Sequence, residues 1–94
     1  MTTQYLIGEL SARLEQLQAA VDPAPARDIA SLRYQVETGP VTRLAAATSR
    51  ALALADQLCW DSLSRGDTTS FTRQAAISAE LRLFGICARL LEEE

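Results

Sequence analysis

Leu63-Ser64-Arg65-Gly66-Asp67-Thr68 is the stretch on which the fold turns. Glycine suits the left-handed conformation that closes a helix, and aspartate suits the capping position that opens the next. Two long segments flank this corner, 40–65 before it and 68–93 after it. A stop and a start so close together double the chain back, which predicts an antiparallel helical hairpin. In segment 40–65, Val41, Leu44, Ala51, Leu52, Ala55, Leu58, Cys59 and Leu63 share one broad face. Thr48 and Ser62 fall at the centre of that face, where small residues admit a close neighbour and hydroxyls bond back to the preceding turn. In segment 68–93, Ile77, Leu81, Phe84, Ala88 and Leu91 recur at alternating steps of four and three, the spacing of a core stripe.

Two shorter helices are expected upstream. Over 5–21, Leu6, Ile7, Leu10, Leu14, Leu17 and Val21 fall within one arc, with Thr2 or Thr3 as the cap and Glu9 placed to pair with Arg13. Asp22-Pro23-Ala24-Pro25 breaks the chain, with Asp22 suited to cap a second helix over 25–37. Ile29, Leu32 and Val36 form its apolar side, and Thr38-Gly39-Pro40 stops it, the glycine suiting a left-handed cap. The expected architecture is therefore all-α: one domain over 1–94, an antiparallel bundle of four helical segments dominated by its C-terminal hairpin.

Composition agrees. Alanine and leucine supply 30 of 94 residues, valine and isoleucine only 7, a bias toward helix over sheet. Histidine, lysine and asparagine are absent, and all nine basic residues are arginine. Without histidine there is no imidazole acid–base catalysis and the commonest metal ligand is missing. Without lysine there is neither a Schiff base nor a phosphate-loop lysine. The glycines are isolated, so no glycine-rich phosphate loop exists. Abundant alanine and arginine without lysine or asparagine is the composition expected of a GC-rich bacterial genome.

The net charge of −3 arises from Glu92, Glu93 and Glu94, while residues 1–91 carry nine arginines against nine acids. A balanced body with scattered arginines is a poor footprint for nucleic acid, and none is expected as a partner. No apolar run approaches the roughly 18 residues a membrane span requires, and the N-terminus lacks the positive region of a secretory signal. Two cysteines are too few for a metal site, so no metal and no cofactor is expected. In the hairpin register Cys59 and Cys87 stand about 20 Å apart along the axis, beyond the reach of a disulfide. Reduced thiols point to a cytoplasmic protein.

Two features exceed the needs of a lone bundle. In segment 68–93 a second apolar set, Ala79, Leu83, Ile86 and Leu90, lies nearly opposite the core stripe. Between Leu81 and Leu91 the only charges are Arg82 and Arg89. A helix apolar on both sides is central in its own core or buries its second side in a partner. Trp60 falls about 140° from the centre of its segment's stripe, at 100° per residue, among Thr42, Ser49, Asp56 and Ser64. Trp is enriched at interface hot spots. The expected function is a non-enzymatic protein–protein interaction or assembly module. It would form a homodimer or dock a helical partner through Leu83, Ile86, Leu90 and the neighbouring Trp60. The competing arrangement has 5–21 and 25–37 wrapping the last helix, enclosing those leucines and covering Trp60.

Catalysis is poorly served. The cysteines lie on or beside apolar arcs, Asp56 and Asp61 point to different sides of one helix, and Glu80 is placed to pair with an arginine of another helix. In size, helicity and arginine content the chain is similar to the chorismate mutases, small all-helical dimers. That resemblance implies a site in which Arg33, Arg43, Arg50 and Gln57 hold an anionic small molecule. Two departures weigh against it: Pro23 interrupts what is one long first helix in that family, and its active-site lysine has no counterpart.

Overall fold

A computed structural model describes residues 3–19 and 23–93, with the backbone alone for 23–25. Its helices are α1 (Thr3–Ala19), α2 (Pro23–Thr38), α3 (Leu44–Ser64) and α4 (Thr68–Glu93), and a 3-10 turn (Val41–Arg43) leads into α3. The expected caps at Thr2 and Asp22 and the Val21 end of the first stripe lie outside the described residues. Among those residues there is no strand, and the molecule is an all-α antiparallel bundle of 43 × 22 × 17 Å.

The hairpin corner forms as its residues dictate. Gly66 adopts φ 74°. Its N–H bonds the carbonyl of Leu63 at 3.1 Å and that of Asp67 bonds Ser62 at 2.9 Å, the paired contacts of a Schellman cap. Asp67 Oδ1 then accepts the Ser70 N–H at 3.1 Å, capping α4. One two-residue step thus satisfies the end of α3 and the start of α4. Gly39, expected in the left-handed conformation, has no positive φ. Its missing side chain serves close approach instead, because a Cβ there would sit 2.4 Å from the Gln35 carbonyl oxygen. Pro40 is extended and opens the 3-10 turn, so the third segment begins as 3-10 and becomes α-helical only at Leu44.

Leu6, Leu10, Leu14 and Leu17 of α1 are fully buried, and Ile29, Leu32 and Val36 of α2 meet them. The hairpin contributes Leu44, Ala47, Ala51, Ala55, Leu58, Ile77, Leu81 and Ala88. Val41 and Leu63, at the two ends of the expected α3 stripe, are exposed. Polar groups inside the hairpin set its register. Ser62 donates to Gln74 Oε1 at 2.7 Å rather than to its own preceding turn. Thr48 does bond back, to the Leu44 carbonyl at 2.8 Å. Ser78 donates to Asp56, which also accepts from Arg82 at 3.2 Å. Across the bundle, Arg13 of α1 donates to Glu80 of α4, so Glu80 pairs with another helix as expected.

Candidate interaction face on the C-terminal helix

On α4 the buried side runs through Gln74, Ile77, Ser78, Leu81 and Ala88. At 100° per residue, Leu83, Ile86 and Leu90 fall on nearly the opposite side, within an arc of about 60°. They are 63%, 55% and 57% exposed. Helices α1 and α2 do not wrap round to enclose them. Instead α1 covers the flank of α4 that carries Phe84 and Glu80. There the Arg13 guanidinium lies 5.7 Å from the Phe84 ring centroid, between Glu9 and Glu80. Bonding to Glu80 holds Arg13 charged, raising its pKa despite the opposing effect of burial.

The other flank of α4 faces α3. Leu52 and Gly85 line a shallow groove of ≈ 270 Å³ there, and Ile86, Arg82 and Arg89 form its outer rim. Gly85 leaves the groove wider by having no side chain; a Cβ there would just reach Thr48 Cγ2, at 3.5 Å. Ile86 therefore belongs both to the outer strip and to the groove. Leu52 and Gly85 were not identifiable as its lining from sequence, since only the packing of α3 against α4 brings them beside Ile86.

Trp60 is 65% exposed, so α2 does not cover it. It does not join the α4 strip. The Ser62–Gln74 and Asp56–Ser78 bonds place it level with about residue 75 of α4. Leu83 then lies about 12 Å further along the axis and Leu90 about 22 Å, at 1.5 Å per residue. Trp60 and the exposed Leu63, one turn apart on α3, form a separate spot near the hairpin corner.

Other candidate chemistry is dispersed. Cys59 is buried and Cys87 partly so, and both are free. Burial pushes the Cys59 thiol up, with the Asp56 carboxylate adding to the effect, so it stays protonated and a poor nucleophile. No group of three or more metal-ligating side chains occurs among the described residues. Of the four residues the mutase resemblance pointed to, Arg33 is engaged with Glu15, Glu37 and Ser11, and Gln57 with Asp61. Only Arg43 and Arg50 share a cleft. No described helix is long and apolar enough to cross a membrane. No protein-family model, curated protein or solved structure matches the chain.

Proposed function

We propose that this protein is a non-enzymatic interaction or assembly module that self-associates, or docks a helical partner, through the outer side of α4. The observation that carries this is the exposure of Leu83, Ile86 and Leu90 together on one face, two helical turns long. Scattered apolar residues need no explanation, but a contiguous strip on an otherwise amphipathic bundle does. Each large apolar side chain contributes roughly 1.5–3 kcal/mol when fully buried. Three half-exposed ones leave little surplus over the cost of association, so the contact is weak and concentration-dependent. The α3/α4 groove beside Ile86 extends the surface, and Arg82 and Arg89 supply a polar rim. The unpaired thiols support a reducing, cytoplasmic setting.

Sedimentation over the micromolar range tests this. The average mass should rise with concentration, and Leu83→Glu should abolish the rise while circular dichroism stays unchanged. A wild-type chain that remains monomeric throughout, and gives no shift with any amphipathic helical peptide, removes the proposal.

A further inference from the structure

The corner Thr38-Gly39-Pro40 opens a second cleft, and no residue of α4 lines it. Its volume is ≈ 470 Å³, within the usual range for small-molecule sites. It stays open because α3 presents only Ala46 and Ala47 there, side chains too short to fill the space between α3 and the last turn of α2. Two cations rim it. Arg43, the last residue of the 3-10 turn, and Arg50, within α3, both line it. Among the described residues no carboxylate lines the cleft.

Three of the other seven arginines differ in this. Arg13, Arg33 and Arg82 each hold a carboxylate of this chain. Arg43 and Arg50 hold none among the described residues. Among the described residues Arg50 makes only a long contact, 3.5 Å, to Gln35 Oε1, which leaves most of its five donors free. Two carbonyls near the end of α2 are bonded within the chain. Thr38 Oγ1 donates to the Tyr34 carbonyl at 2.7 Å, and the Gly39 N–H to that of Gln35 at 2.8 Å. Tyr34 adds an exposed ring to the wall.

We infer that this cleft binds a small organic anion, its carboxylate or phosphate group held by Arg43 and Arg50 and its body laid against Tyr34. Guanidinium groups grip such oxyanions through paired hydrogen bonds, and an anion here relieves the repulsion between two uncompensated cations. The site is independent of the α4 face.

Calorimetric titration at low ionic strength tests it, with citrate, inorganic phosphate and phenyl phosphate as probes. At least one should bind saturably at one site per chain; citrate alone assigns the carboxylate, the phosphates alone the phosphate. Arg43→Gln and Arg50→Gln should each weaken the bound probe about tenfold or more, while Arg27→Gln and Leu83→Glu leave it unchanged. Phenyl phosphate should bind more tightly than inorganic phosphate, and Tyr34→Ala should erase that advantage. Absence of saturable binding by all three probes at low millimolar concentration overturns the inference. So does an equal loss in Arg27→Gln, which would mark the effect as general charge screening.

Discussion

At residue scale, Gly85 and Gly66 behave oppositely although both are glycines in or beside α4. Gly85 sits within a helix, where glycine costs about 1 kcal/mol relative to alanine. A Cβ there meets Thr48 Cγ2 at 3.5 Å, an ordinary contact. Gly85→Ala should therefore raise the stability to urea by up to about 1 kcal/mol, while narrowing the groove beside Ile86. Gly66, at φ 74°, has no such latitude; Gly66→Ala should destabilise by about 1 kcal/mol or more. Asp67 carries a pH signature. Bonding to the Ser70 hydroxyl first, and then to its backbone N–H, holds the Asp67 carboxyl below the usual value. A lowered folded-state pKa stabilises the fold above the unfolded value and loses that contribution as pH falls through the folded one. Asp67→Asn keeps a capping oxygen without the charge. Its thermal stability should fall less steeply than the wild type's as pH drops below about 4. An unchanged acid slope would show that the cap titrates as in the unfolded chain.

At element scale, the hairpin shows what a sequence carries locally and what it does not. Gly66 and Asp67 were legible because each encodes its own backbone state or cap within four residues. The leucines of α1 were legible because their burial follows from spacing alone. Gln74 and Ser78 were not: both are polar, yet both are buried. Their partners, Ser62 and Asp56, lie 12 and 22 residues away on the opposing helix, a distance over which periodicity carries no information. The separation of Trp60 from the α4 strip was hidden likewise, since it depends on the register those two bonds fix. The Ser62–Gln74 pair gives a test. Ser62→Ala leaves the Gln74 amide buried without its donor, which should cost about 1–3 kcal/mol. Adding Gln74→Leu removes the stranded group, so the double variant should recover part of the loss, and a double-mutant cycle should give clear coupling. Strict additivity would mean that Gln74 simply turns out to water.

At the scale of the whole molecule, the bundle is lopsided. Helices α1 and α2 cover one side of the hairpin and leave the outer side of α4 bare, so its apolar surface is not shielded by any element among the described residues. A small domain draws limited stability from its own core, and any species that binds the folded but not the unfolded chain raises its apparent stability by mass action. Self-association through α4 should therefore make the melting temperature of the wild type rise with protein concentration. Ile86 lies at the middle of the strip and on the rim of the α3/α4 groove. Ile86→Glu should abolish the concentration dependence and leave the melting temperature of the dilute protein nearly unchanged, because a half-exposed side chain contributes little to the monomer. Trp60→Ala should leave the dependence intact, being displaced from the strip by about 12 Å along the helix axis or more. If Ile86→Glu instead lowers helicity and melting temperature at high dilution, Ile86 is supporting the monomer and the bare side of α4 is not the contact. If Trp60→Ala removes the dependence while Ile86→Glu does not, the contact lies at the hairpin corner, with Leu63 as its nearest exposed apolar neighbour on α3.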